Sequence, residues 1–242
     1  MARRLFYIQE WKSGKAFLRG ETAEHLRRVL RAERGQLYEL SDGEHLWLAR
    51  IEAFGKETVE FVLIEPLPAV RQPAPIHLFA SLFKFDRFEW MIEKATELGV
   101  ERITPVVSLR SEKGLDTAAE KRRARWEKIA HEAGQQSRRL RPPEIGPVIS
   151  FRDALKTESE TRLFLDEAEN APPILSVLKN PSAPAALLCG PEGGWDPRER
   201  EAAQHASWQP VSLGPLILRA ETAALSALSI LAAARASSTS RP

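Results

Sequence analysis

The amino-acid sequence predicts an α/β protein in two parts: a small β-barrel with one helix, then a larger region in which strands and helices alternate. Three observations carry that prediction. Short apolar stretches punctuated by Gly14, Gly20, Gly35, Gly43 and Gly55 fill the first ~65 residues. A stretch with four prolines in ten residues, PLPAVRQPAP at 66–75, reads as a linker. Beyond it, apolar runs of strand length alternate with stretches of helical periodicity. The expected domains are 1–70 and 74–242.

In the first part, RLFYIQ, KAFLRG, QLYELSD, EHLWLARIEAF and ETVEFVLIEP are the strand candidates. ETAEHLRRVLRAERG is the helix, with Leu26, Val29 and Leu30 predicted on its apolar face. In the second part, IHLFASLF is a continuous apolar strand. The helix after it has Asp86 as expected N-cap, Glu89 completing a capping box, and an apolar stripe of Phe88, Met91, Ile92 and Ala95. ERITPVVS is the next strand, and a basic helix should run from about Ala118 to Arg138. TRLFLDE, PAALLCG and QPVSLG supply three further strands. Thr222–Ala236, eleven of whose fifteen residues are Ala, Leu or Ile, reads as a helix packed in a core or a subunit interface.

Composition narrows the class. With 242 residues, 43% hydrophobic and 28% charged, the chain has ample material for a folded core. Thr222–Ala236 falls short of the ~20 apolar residues that span a bilayer, and the N-terminus lacks a secretory core, so no membrane association and a cytoplasmic location are expected. Cys189 is the single cysteine, which excludes an internal disulfide and a multi-cysteine metal site. The five histidines are scattered without an H-x-x-x-H pair, so no metal is expected. Net charge is only +2, but it is unevenly placed. Residues 1–35 hold nine Lys/Arg against four Glu, and residues 110–141 hold ten against five Asp/Glu. Such tracts suit a polyanion, or are simply solvated helix faces.

Two glycine loops stand out. In LLCGPEGGWDPRERE a buried strand runs into Gly-Pro-Glu-Gly-Gly, and Asp196, Pro197 and Glu199 then start a helix. The loop therefore lies at the C-terminal end of a strand, where open α/β sheets place ligands. No GK[ST] follows, and Glu192 would repel phosphate, so a cationic or amine-bearing ligand fits better. A tight turn needing positive-φ glycines accounts for Gly193 and Gly194 as well. In VSLGPLILRAETAALSAL, a strand ends at Gly214-Pro215, and Arg219, Glu221 and Thr222 crowd the start of the apolar helix. A helix cap explains that crowding too.

CGPEGG followed by SLGPLILRAETAAL, with SLFKFDRFEWMIEKATELGVERITPVVSLRS upstream, resembles the SPOUT class of S-adenosylmethionine-dependent methyltransferases. More narrowly, it resembles the bacterial ribosomal RNA small-subunit methyltransferase E family. HLRRVLRAERGQLYELSDG is similar to that family's PUA-like N-terminal barrel, and WEKIAHEAGQQSRRLRPPEI to its central basic segment. The resemblance implies a C-terminal trefoil knot, a homodimer, and S-adenosylmethionine as cofactor. It further implies that the substrate is 16S ribosomal RNA or the small ribosomal subunit, methylated at uracil N3. By position, Leu165, Gly190, Glu192, Gly193, Leu213, Gly214, Leu218, Thr222 and Ala223 would form the cofactor site. Arg219 and Glu221 match the family's LRTET run and are the expected catalytic residues. Arg219 would stabilise charge on the uracil oxygens, and Glu221 would take the N3 proton directly or through water. If Glu221 only caps its helix, solvent takes that proton. Leu216 replaces a common arginine, Ala220 a common threonine, and Phe85 the glycine of a KGDR turn. Candidate RNA contacts are Arg27, Arg28, Arg31, Arg138 and Arg139, with Lys84, Arg87 and Arg110 in addition. Two rival readings are a SPOUT ribose 2′-O-methyltransferase and an RNA-binding module without catalysis.

Overall fold

The computed structural model describes residues 4–68 and 74–239, so the middle of the proline-rich linker lies outside the described residues. The chain forms two compact units: Met1–Arg71 with Gly134–Pro142, and Gln72–Ala133 with Pro143–Pro242.

The first unit contains β1 (Leu5–Tyr7), β2 (Glu10–Lys12), β3 (Lys15–Arg19), α1 (Gly20–Arg28), β4 (Leu37–Ser41), β5 (Leu46–Phe54) and β6 (Thr58–Leu67). Its sheet runs β1-β4-β5-β6-β3-β2, with β1 parallel to β4 and the other pairs antiparallel. Alternation along the strands puts Ala16, Leu18, Leu40, Ala49, Ile51, Val59 and Phe61 into one core with Leu26 of α1. The predicted helix ends early. α1 stops at Arg28 and Arg31 has φ 48°, so Val29 is exposed instead of joining Leu26. The linker also begins late, because Pro66 still pairs with Trp47 inside β6. Residues 134–142 join this unit through definite bonds. Tyr7 Oη donates to the Arg139 carbonyl at 3.0 Å, Ser41 Oγ donates to the Leu140 carbonyl at 2.6 Å, and Arg138 is ion-paired with Glu39. Burial pushes the Tyr7 phenol upward against the opposing charge of Arg139.

The second unit follows the order β7 (Ile76–Ser81), α2 (Phe85–Glu97), β8 (Arg102–Val107), α3 (Leu115–Gln136), β9 (Glu144–Ile145), β10 (Ile149–Ser150), α4 (Phe151–Ala154), β11 (Thr161–Leu165), α5 (Ile174–Val177), β12 (Ala185–Cys189), α6 (Pro197–His205), β13 (Gln209–Val211) and α7 (Ala220–Thr239), with the last turn of α3 falling in the first unit. Every strand pair in its sheet is parallel, in the order β10-β8-β7-β12-β11-β13 with β9 beside β8. A parallel sheet is covered on both faces, which is why its strands read as continuous apolar runs. Leu78, Leu163 and Leu187 face a core shared with α2, α3 and α7, whereas Phe79, Phe164 and Leu188 face Trp195, Trp208, α4 and α6.

The stripe expected on α2 is buried throughout, but its cap differs. Lys84 holds the extended N-cap conformation, so Asp86 is already inside the helix and no capping box forms. Glu89 instead accepts from Arg122 and Arg125 of α3, each at 2.9 Å. At α6 the expected box is present, with Asp196 and Glu199 each capping the other's backbone and Pro197 at the first turn. Among the described residues, no helix is long and apolar enough to cross a membrane.

Candidate functional site

Strands β12, β11 and β13 are neighbours in the parallel sheet, so the loops leaving their C-terminal ends open on one edge. A cleft forms there. Leu165, Gly190, Glu192, Leu213, Gly214, Leu218 and Ala223, all expected at a ligand site, line it together. Gly193, Arg219, Glu221 and Thr222 stand outside that wall. Sequence reasoning missed Asp166, Glu167 and Trp195, which also face the cleft. The two acids were legible as the polar end of TRLFLDE, just past a buried strand.

The glycines of the GPEGG loop have separate reasons. Gly194 has φ +66°, the left-handed conformation that glycine tolerates. Gly190 does not have positive φ; a Cβ there would lie 2.9 Å from Trp195 Cε2. The Trp195 indole is buried, stacks on Phe164 at 4.7 Å, and donates its Nε1–H to the Leu165 carbonyl at 2.7 Å. One ring thereby ties the loop after β12 to the end of β11. The loop after β8 is a further brace. Arg110 Nη1 donates to the Gly193 carbonyl at 2.9 Å, and the Leu109 amide donates to Glu199 Oε1 at 2.8 Å. The second loop is held where Ile174 N–H donates to the Ser212 carbonyl at 3.0 Å.

Charge at the site is organised in two groups. Arg200 Nε donates to both oxygens of Asp166 at 3.0 Å, and its Nη1 donates to the Trp195 carbonyl at 2.9 Å. Arg87, from the first turn of α2, donates to Glu192 Oε1 at 2.6 Å, and its Nε lies 3.8 Å from Glu221 Oε1. Glu221, in the first turn of α7, is buried, and its Oε2 has no hydrogen-bond partner. Burial pushes the Cys189 thiol up to about 12, and nearby Glu221 adds to the rise. Cys189 is therefore a protonated thiol at neutral pH, bonded to the Ala220 carbonyl at 3.3 Å, and no nucleophile. Among the described residues, no group of three or more His, Cys, Asp or Glu side chains could hold a metal.

The basic candidates fall into different environments. Arg31 and Lys84 are exposed, and Arg28 is exposed beside Glu24 on the same helix face. Arg27 donates to the Gly55 and Lys56 carbonyls. Arg138 pairs with Glu39, and Arg139 is buried with its Nε donating to the Arg141 carbonyl. Arg87 and Arg110 are committed to the GPEGG loop.

The RNA methyltransferase domain family matches residues 70–232. The ribosomal RNA small subunit methyltransferase E of Bacillus subtilis is 33% identical over 88% of this chain and 87% of its own length. This chain belongs to that family. The family's protein from Aquifex aeolicus is 30% identical over 94% of this chain and 98% of its own length. A crystal structure of the family's protein from Neisseria gonorrhoeae, bound to S-adenosylmethionine, superposes with a TM-score of 0.87. That pair is 33% identical and covers 96% of this chain and 98% of the other.

Proposed function

We infer that this chain binds S-adenosylmethionine in the cleft beyond β11, β12 and β13 and methylates small-subunit ribosomal RNA at uracil N3 of the 16S species. One observation carries the reading: the positions expected from the family motifs, from Leu165 through Gly190 and Leu213 to Ala223, come together around a single cleft. The lining suits the cofactor. Leu213, Leu218 and Val211 offer apolar packing for a purine, while Asp166, Glu167 and Glu192 favour a cation. When bound, the cofactor supplies a methyl group on an electrophilic sulfonium.

The remaining chemistry belongs to the protein. Uracil N3 carries a proton and attacks poorly until it leaves, so the site must favour the anion and align it with the methyl group. Arg219 is exposed immediately before α7; in this reading it meets RNA and stabilises charge on the uracil oxygens. Glu221, two residues on, has a carboxylate oxygen not engaged by any other group and is our choice for the proton acceptor. Because N3 lies on the pairing edge, the base must be unpaired or extruded. We read the unit that residues 1–70 form with 134–142 as a PUA-like barrel that grips RNA, and the remainder of 74–242 as a knotted SPOUT domain. The chain works in the cytoplasm as a homodimer, for which exposed Leu175, Leu216 and Ile217 offer apolar surface.

The test is direct. The protein is incubated with methyl-labelled S-adenosylmethionine and unmodified small subunits or their RNA, and the labelled nucleoside is identified. Label in N3-methyluridine is the expected result. Label in a ribose methyl would reassign the reaction, and absence of label would make the chain a binding module.

A further inference from the structure

Arg87 reaches across the fold from α2 to the loop after β12, binding Glu192 at 2.6 Å, and approaches Glu221 of α7 at 3.8 Å. Glu192 lines the cleft, and Glu221 is 93% buried with one oxygen unpartnered. One guanidinium therefore stands between two carboxylates that belong to two separate segments of the site. Without it the two carboxylates would stand near each other with none of the described cations between them, an arrangement proteins avoid. With it, the three groups sum to a single negative charge, which matches the single positive charge of a sulfonium.

We propose that Arg87 is a positioning residue for methyl transfer, fixing the Glu192 carboxylate at the wall of the cleft and the Glu221 carboxylate at the start of α7. The proposal rests on the function inferred above. It assigns Arg87 to the protein's own carboxylates instead of to RNA phosphate. The planar guanidinium suits this task, since its Nη1 and Nε edges address different partners at once. Arg122 and Arg125 are unsuited to it, being held on α3 by Glu89.

The experiment compares wild type, Arg87→Met and Arg87→Lys. The readouts are single-turnover methylation at saturating RNA, the KM for RNA, and calorimetric affinities for S-adenosylmethionine and S-adenosylhomocysteine. Met keeps the unbranched apolar stem of the side chain and removes its charge. For Arg87→Met the expected result is a fall in single-turnover rate of about tenfold or more, the equivalent of one ion pair's worth of transition-state stabilisation. The KM for RNA should stay unchanged. Preference for the sulfonium over the neutral thioether should rise severalfold, because the Glu192 carboxylate on the cleft wall then lacks its cation. Arg87→Lys, which restores the charge but not the two edges, should recover part of the rate. A raised KM for RNA with an unchanged rate would make Arg87 a phosphate contact and overturn the proposal. Unchanged discrimination between sulfonium and thioether, or a Lys variant as slow as Met, would overturn it too by reducing the residue to packing. If wild type neither binds S-adenosylmethionine nor methylates RNA, the functional reading itself fails, and the proposal falls with it.

Discussion

Replacing Gly190 with alanine tests the way the cleft is built. The new methyl carbon would lie 2.9 Å from Trp195 Cε2, 3.0 Å from Nε1 and 3.3 Å from Cδ2. Comfortable carbon contacts need about 3.5–4.0 Å, so the indole must retreat by roughly 0.5–1 Å. It has little room to do so. Phe164 stacks on it at 4.7 Å, Phe151 stands at 5.3 Å, and its N–H is bonded to the Leu165 carbonyl at 2.7 Å. Overpacking of this kind costs about 2 kcal/mol, and weakening the bond costs about 1 kcal/mol more. A total of about 3 kcal/mol corresponds to a fall in apparent Tm of about 6–12 °C for a chain of this size. Thermal unfolding followed by circular dichroism reads this directly, and calorimetry should show weaker S-adenosylmethionine binding alongside. In a Trp195→Ala background the ring atoms are gone, so the alanine at 190 should cost less than half as much. A Gly190→Ala protein that unfolds within 1–2 °C of wild type, or equal costs in the two backgrounds, would refute the packing argument.

Three other expectations follow from the same geometry. Glu221→Gln should lower the single-turnover rate by about 100-fold at saturating RNA and cofactor; an unchanged rate would remove Glu221 as the proton acceptor. His77, half-buried near Arg102, has its imidazole pushed down to about 4 by desolvation and then by that positive charge, while its Nε2 bonds Thr104 Oγ1 at 2.8 Å. Because the unfolded state takes up the proton first, stability should be full above pH ~6.5 and fall as pH drops towards 4, by about 2 kcal/mol between pH 7 and 5. Urea denaturation of His77→Gln should lack that slope, and a shared slope would assign it elsewhere. If ~5 phosphates are neutralised on a single-stranded segment, log affinity for RNA should fall with log salt at a slope of about −3.5, whereas a slope near zero would detach the basic tracts from RNA binding.

What was legible in the sequence was whatever rests on neighbouring residues. Runs such as AALLC and IHLFAS announced central parallel strands, and the D-P-R-E pattern at Asp196 announced a helix start, because both signals are local. The same local rule misread Asp86: the cap depends on which residue holds the extended backbone, and here it is Lys84. Elements of two to four residues, such as β2, β9, β10, α4 and α5, are too short to show a period. The partnership of Arg87 with Glu192 joins residues 105 positions apart, so no spacing signals it. Gly190 shows the subtler case. It was expected at the cofactor site by resemblance, but what requires glycine there is the bulk of Trp195, visible only once the chain has turned back on itself.

The contribution of residues 134–142 to the first unit has a consequence for how the chain is made. That unit is the first to leave the ribosome, yet it is not the first that can be finished. Tyr7, Glu39 and Ser41 must wait for partners about 100 to 130 residues downstream. At about 5–20 residues per second, the 71 residues between Arg71 and Pro142 impose a delay of roughly 4–14 s. During that interval β7, α2, β8 and all of α3 are synthesised. A fragment cut at the linker would carry the same deficit permanently, so the N-terminal unit is a segment of gene without being an independent folding module.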